Sequence, residues 1–148
     1  MTREARERTV REHMDVENKL DFDAALATFE RPRYELIGTD TVHDGPEEVM
    51  KYYLQMREAF PDQRNEIISL RHADDAVIAE FWLLGTHKGR LGRLEPTGRT
   101  FKVRMMAFSS SKAPASSANA STSTQAPSSG RFRAEVPRPV SLLKFGLK

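Results

Sequence analysis

Apolar residues recur every three to four positions from Thr2 to about Leu20. Val10 and Met14, joined by Val16 and Leu20, form the stripe, and charged residues fill the other face. That spacing predicts an amphipathic helix. Asp21 can cap a second short helix from Phe22 to Phe29, with Leu26 on the face shared by the two phenylalanines. Pro32 stops it, because proline disfavours helical backbone in the residue before it. Tyr34, Leu36 and the Thr39–Val42 stretch read as two short strands around Gly38-Thr39-Asp40. His43-Asp44-Gly45-Pro46 is a turn into a third helix. Pro46 suits its first position, and Glu47 and Glu48 suit its positive end. Val49, Tyr52, Tyr53, Met56 and Phe60 supply its buried face, and Pro61-Asp62 ends it.

The period then changes. Glu66 to Arg71 reads as a strand, Asp74-Asp75 as a turn, and Ala76 to Thr86 as a second strand rich in strand-forming Val77, Ile78, Phe81 and Trp82. Gly89, Gly92, Pro96 and Gly98 mark a long loop. Arg99 to Phe108 resumes as a strand, with Phe101, Val103 and Met105 alternating against Lys102 and Arg104. The sheet segments are thus 64–72, 76–87 and 99–108. After Phe108 the pattern stops. Ser109 to Gly130 is almost wholly Ser, Ala, Thr, Pro and Asn, too poor in apolar surface to offset its ordering entropy. Val136 to Lys148 carries Val140, Leu142, Leu143, Phe145 and Leu147 without a clean period. The chain divides into one α+β domain, 1–108, and a low-complexity tail, 109–148.

Composition narrows the chemistry. With 23 Lys and Arg against 21 Asp and Glu, the net charge is only +2, and the charges intermix along the first helix. This describes a solvated face, not a nucleic-acid footprint. The absence of cysteine excludes disulfides, thiolate catalysis and Cys-ligated zinc. No His and carboxylate spacing suggests a metal site. No apolar run could span a membrane, and no signal peptide precedes the first helix, so the expected location is cytoplasmic by default.

Three stretches carry a resemblance. Gly45-Pro46-Glu47-Glu48-Val49 opens the third helix and Ala59-Phe60-Pro61-Asp62 closes it. Gly85-Thr86-His87-Lys88-Gly89 is followed by Glu95-Pro96-Thr97-Gly98-Arg99. The last pair is similar to the Gly-Thr-His-x-Gly and Pro-Thr-Gly-Arg signatures of SnoaL-like and ester-cyclase-like proteins, so residues 1–108 resemble a SnoaL-like domain of the nuclear transport factor 2-like superfamily. The resemblance implies a cone of helices on a curved antiparallel sheet around an apolar pocket, usually in a homodimer. It implies a small-molecule ligand bearing a carbonyl, and cyclisation or isomerisation by general acid/base chemistry with no cofactor and no metal. A non-catalytic ligand-binding or dimerisation module on the same fold is the alternative.

Within that frame His87 is the candidate catalytic residue, at a strand end beside two glycines, where an imidazole can share a proton at neutral pH. A rim histidine that shapes its loop is the competing role. Phe29, Tyr34, Phe60, Phe81, Leu83 and Met105 are the candidate pocket liners. By strand parity Phe81 and Leu83 share one face, and Glu80 and Trp82 face the other way, a candidate dimer surface. His13 and His43 read as surface residues.

The resemblance also implies a turn and another long strand after Phe108, carrying the acidic general acid/base. Here no Asp or Glu occurs between Phe108 and Glu135, and the last strand is missing. A reading-frame slip near Phe108 accounts for this. Serine codons of the TCN type, shifted by one base, always yield Phe, Leu, Ile or Val. The shifted segment permits a strand, a Gly turn, a second strand and the start of a helix, with an Asp from the codons of Ser123 and Thr124. A natural linker is the alternative. Either way the expectation is an impaired enzyme.

Overall fold

Helix α1 (Arg3–Asn18) starts where the Thr2 hydroxyl accepts from the Ala5 amide at 3.2 Å. It stops at Asn18 because Leu20 takes a left-handed conformation, φ 64°, in the tight turn to α2 (Phe22–Ala27). Leu20 is therefore 49 % exposed and does not extend the apolar stripe. The Asp21 carboxylate caps α2 by accepting from the Ala24 amide at 3.1 Å.

The computed structural model describes residues 1–110 and the backbone of 141–146. The hairpin β1 (Arg33–Leu36) and β2 (Thr41–Asp44) is followed by α3 (Pro46–Ala59). Then come β3 (Arg64–His72), β4 (Ala76–Thr86) and β5 (Thr100–Ser110), and finally β6 (Ser141–Gly146). They form one sheet in the order β2-β1-β6-β5-β4-β3. The sequence segments 64–72, 76–87 and 99–108 fall on β3, β4 and β5. A register shift between Ile67 and Ser69 lets Ile67 face Phe81 and Leu70 face Ala79, so both pack on the core face although three residues apart.

The place between β1 and β5 is held by β6. It pairs antiparallel with β1 (Tyr34 opposite Phe145) but parallel with β5 (Met105 opposite Ser141). A strand joined to β5 by a simple turn would run antiparallel to it. Ser109 and Ser110, assigned to the tail from sequence, continue β5 opposite Val77 and Ala76. The rest of the Ser-rich stretch, through Gly130, lies outside the described residues.

The core lies between the helices and the inner sheet face, where Val10, Phe29, Val49, Tyr53, Val77 and Phe81 are all buried. The parity expected along β4 holds. Phe81 opposes Met105 on the inner face, while Trp82 opposes Arg104 on the outer one, its ring under the Lys102 ammonium at 4.7 Å. His13, expected at the surface, is only 1 % exposed. α1 packs against α2 as well as β3 and β4, so its buried arc is wider than its apolar stripe and takes in Arg6, Val10, His13 and Met14.

Candidate functional site

The helical repeat of α1 brings His13, Met14 and Glu17 to one side, over the inner faces of β1, β4 and β5. There they bound a partly open cavity of about 50 Å³, with Tyr34, Tyr52, Gln63, Asn65, Phe81, Leu83 and Met105 completing its lining among the described residues. A water needs roughly 10–15 Å³ of such space, so the cavity has room for a few waters or a small ligand fragment.

Hydrogen-bond arithmetic fixes the protons on one wall. The Thr28 hydroxyl donates to the Ala25 carbonyl at 2.7 Å, so its oxygen accepts from His13 Nδ1 at 2.9 Å. His13 is then the Nδ1–H tautomer, and Nε2 accepts from the Tyr34 hydroxyl at 2.8 Å. The Tyr34 oxygen in turn accepts from Tyr53 at 2.7 Å. Burial holds the imidazole neutral by pulling its pKa down to about 4, against the opposing pull of the Ala25 carbonyl.

Glu17 stands one helical turn on, its carboxylate 3.8 Å from His13 Nε2 and its side chain 15 % exposed. Burial pushes this carboxyl up to about 7, opposed by the Arg57 charge and by the hydrogen bond from Asn65 Nδ2 at 3.2 Å. Arg57 is occupied elsewhere, donating to the carbonyls of Glu17 and Gln63, so it ties α3 to the end of α1 without neutralising the acid directly. Asn18 completes the seam by bonding both backbone groups of Asn65, at 2.7 and 2.9 Å. The result is a carboxyl that exchanges protons near neutral pH, on the wall of a largely apolar cavity.

His87 is surrounded differently. Its amide donates to the Arg99 carbonyl and its carbonyl accepts from the Gly98 amide, clasping the two halves of the β4–β5 loop. Nδ1 lies 3.2 Å from the Thr97 hydroxyl, and Nε2 is buried without a hydrogen-bond partner among the described residues. The ring packs on Phe60 at 5.4 Å, and Phe60 on Phe101 at 5.1 Å. Asp62 accepts from the amide and hydroxyl of Thr86, and the Ala59 carbonyl accepts from the amides of Lys88 and Gly89. A Cβ on Gly89 would stand 1.9 Å from the Glu58 carbonyl oxygen, and one on Gly85 2.9 Å from the Phe101 ring. The stretch 85–89 thus fastens the end of α3 to the end of β4.

Of the residues proposed from sequence, Tyr34, Phe81, Leu83 and Met105 meet on the cavity. Phe29 packs behind it, edge-on to His13 at 4.8 Å and to Tyr34 at 5.9 Å. Phe60 and His87 are not among the cavity's lining residues. His13, Glu17, Tyr52 and Asn65 were not foreseen. The usable signal for the first two was their spacing from Val10 and Met14 on the α1 repeat. His43, expected at the surface, is half-buried and stacks on Tyr52 at 4.7 Å. Among the described residues no group of three His, Cys, Asp or Glu side chains could hold a metal, and no helix is long and apolar enough to cross a membrane.

A family model described as SnoaL-like polyketide cyclase matches residues 7–112. No curated protein matches the chain. Among solved structures it is similar to AclR, a candidate hydroxylase from Streptomyces galilaeus, at 19 % identity and TM-score 0.58, over 70 % of this chain and 64 % of AclR. A candidate polyketide cyclase from Xanthomonas campestris pv. campestris matches at 14 % identity and TM-score 0.68, over 99 % of this chain and 92 % of that one. An NTF2-like protein of unknown function from Burkholderia pseudomallei matches at 11 % identity and TM-score 0.59, over 97 % and 90 %. The chain spans just under two thirds of AclR, and at these identities the likenesses establish a nuclear transport factor 2-like fold and nothing finer.

Proposed function

We propose, from the premise that this chain belongs to the SnoaL-like polyketide cyclase family, that its cavity binds a small apolar ligand bearing a carbonyl and that Glu17 moves a proton on it. The observation that carries this reading is the Glu17 carboxyl on the cavity wall, raised by burial to about 7. A group with that pKa serves as acid or base near neutrality without metal or cofactor. Removing the proton beside a carbonyl gives an enolate, the entry point to both isomerisation and ring closure. His87, fastened into the loop away from the lining, holds the loop and leaves the proton transfer to Glu17.

The same reading includes an impairment. Ligand sites for drug-sized molecules enclose roughly 300–1,000 Å³, against about 50 Å³ here. No carboxylate occurs between Phe108 and Glu135 to act as the late acid that the family resemblance implies. We read 109–148 as a segment out of frame, with β6 standing in for a native strand in the reverse sense. The nucleotide sequence around the Phe108 codon tests this, and a frame-restored chain should melt at higher temperature. Pairing of two copies through the outer face around Trp82 belongs to the same reading, and sedimentation in an analytical ultracentrifuge checks it.

The direct test is proton exchange at the carbons flanking the carbonyl of 2-butanone in D₂O, followed by NMR. The chain should accelerate exchange over buffer, and Glu17→Gln should remove about 10²–10⁴-fold of that acceleration. Binding of the ketone without exchange would instead support a non-catalytic module.

A further inference from the structure

Three tyrosines, Tyr34, Tyr52 and Tyr53, cluster between α3 and β1 with ring centroids 5.6–6.3 Å apart. Their hydroxyls are not equivalent. The proton order set by Thr28 commits the Tyr34 proton to His13 Nε2 and the Tyr53 proton to the Tyr34 oxygen. Both phenols are therefore spent as donors inside the protein, since each carries a single O–H. Tyr52 differs. It lines the cavity, yet among the described residues its hydroxyl has no hydrogen-bond partner. Its ring is held by the stacked His43 imidazole at 4.7 Å on one contact and by Tyr34, edge-on at 5.8 Å, on another. The phenol is thus oriented by its neighbours while its donor is left unused.

We infer that the Tyr52 hydroxyl is the group that binds the ligand's carbonyl oxygen, in the cavity that the proton-transferring Glu17 also lines, with His43 as its positioning residue. The inference rests on the reading of the cavity as a ligand site. A neutral phenol donates one hydrogen bond to an acceptor oxygen, and a ligand lacking that oxygen leaves the donor unpaired in a mostly apolar enclosure, which is costly. The cavity therefore discriminates ketones and similar acceptors from hydrocarbons of the same shape. Burial, reinforced by the Glu17 charge, pushes the Tyr52 pKa up to about 12, so the donor persists well above the range in which Glu17 titrates.

That separation provides the test. At pH 9 Glu17 is ionised and can no longer donate, whereas Tyr52 is still protonated. Binding of 2-butanone and of its hydrocarbon counterpart 2-methyl-1-butene is measured by NMR titration on the full-length chain and on Tyr52→Phe. The infrared carbonyl stretch of the bound ketone is recorded alongside. The wild-type chain should prefer the ketone and lower its carbonyl frequency. Tyr52→Phe should bind the ketone about five- to tenfold more weakly, bind the alkene unchanged, and lose the frequency shift. His43→Ala should weaken ketone binding by a smaller factor and broaden the shifted band. Unchanged ketone affinity and frequency in Tyr52→Phe overturn the assignment of Tyr52 while leaving the cavity reading intact. If the wild-type chain binds neither probe, the cavity reading falls and this inference with it. Unchanged alkene binding in Tyr52→Phe guards against loss of fold, because a collapsed cavity would lose both probes.

Discussion

His13 and His87 are both buried, at 1 % and 9 % exposure, yet their surroundings have little in common. His13 lies in no recognisable motif, and both of its ring nitrogens are bonded, to Thr28 and to Tyr34. His87 lies in the stretch that most clearly carries the family resemblance, and among the described residues one of its nitrogens has no partner. The network around His13 opens onto a cavity beside a carboxyl that titrates near neutrality. The network around His87 is mostly backbone to backbone, joining loop, helix end and strand end. A signature of glycines and small polar residues is thus legible because backbone geometry demands it, and it marks where the chain must fit together. Chemistry can sit elsewhere, on helix positions that any polar residue could occupy without disturbing the fold.

The largest effect expected from this contrast is at Gly89. Alanine there drives a methyl group into the Glu58 carbonyl, where the nearest atoms are backbone and cannot rotate away. Overpacking of that kind costs roughly 1–3 kcal/mol, and the displaced Lys88 and Gly89 amides each forfeit a bond of about 1 kcal/mol. Gly89→Ala should lose about 4 kcal/mol in urea unfolding. A loss below about 1 kcal/mol would mean that the fastening is not what holds this end together.

Next in size is a pair of opposed pH dependences at the cavity. The Glu17 pKa is about 7 in the folded chain against an ordinary 4.5. Between those values the folded state holds a proton that the unfolded state has released, so stability falls as pH rises from 4.5 through 7. The His13 pKa is about 4 against an ordinary 6.5. Between those values the unfolded state holds the extra proton, so stability rises with pH from 4 to 6.5. Each group contributes on the order of 3 kcal/mol over its window, with opposite sign. Where the windows overlap, between pH 4.5 and 6.5, the two slopes cancel and the wild-type chain should be nearly flat. Glu17→Gln should unmask the rise due to His13, and the variant should exceed wild type in stability at pH 8. Chemical denaturation at a series of pH values reads this directly. A Glu17→Gln curve as flat as wild type would show that burial does not lower the His13 pKa.

A smaller effect belongs to Asp62. Its carboxylate accepts from the Thr86 amide and hydroxyl at 2.8 and 2.7 Å, but the bonds are exposed. Asp62→Ala should lower the denaturation midpoint only slightly, because solvent screens these exposed bonds, with ketone binding at the cavity unaltered. Altered binding would show that the fastened loop and the cavity are coupled.

Most of the fold between residues 1 and 110 can be read from the chain, because most elements are announced by period and punctuation together. β2 is the exception, since His43 and Asp44, read as a turn, complete it and Ile37–Thr39 forms a short 3-10 turn before it. Asp21 caps α2, Pro46 opens α3, and alternation from Phe101 to Met105 marks the inner face of β5. β6 could not be read this way. A parallel strand that enters between β1 and β5 is fixed by the two neighbours it joins, and Ser141–Gly146 has no alternation of its own to announce it. The cavity was half legible. Large apolar residues with strand parity, such as Phe81, Leu83 and Met105, point inward by rule. His13 and Glu17 could not be placed, since polar residues on a mainly charged helix are read as solvated unless the width of the buried arc is known. That width depends on how α2 folds back on α1, which is a tertiary fact.

The smallest expected effect is at His87, and it divides the two readings of the motif most cleanly. Nε2 has no partner among the described residues, so its removal orphans none of their polar groups. A glutamine retains a polar group within reach of the Thr97 hydroxyl that Nδ1 meets at 3.2 Å. The backbone bonds from His87 to Arg99 and Gly98 do not depend on the side chain. What is lost is the packing of the ring against Phe60, so His87→Gln should cost about 1 kcal/mol or less in denaturation. Exchange at 2-butanone should stay within about twofold of wild type if the proton transfer is at Glu17, as proposed. If His87 were instead the group that takes the proton, the same substitution would cut exchange by about 10²–10⁴-fold while barely moving the melt. A fall of that size in a well-folded His87→Gln chain would return the chemistry to the motif and leave Glu17 with a structural part.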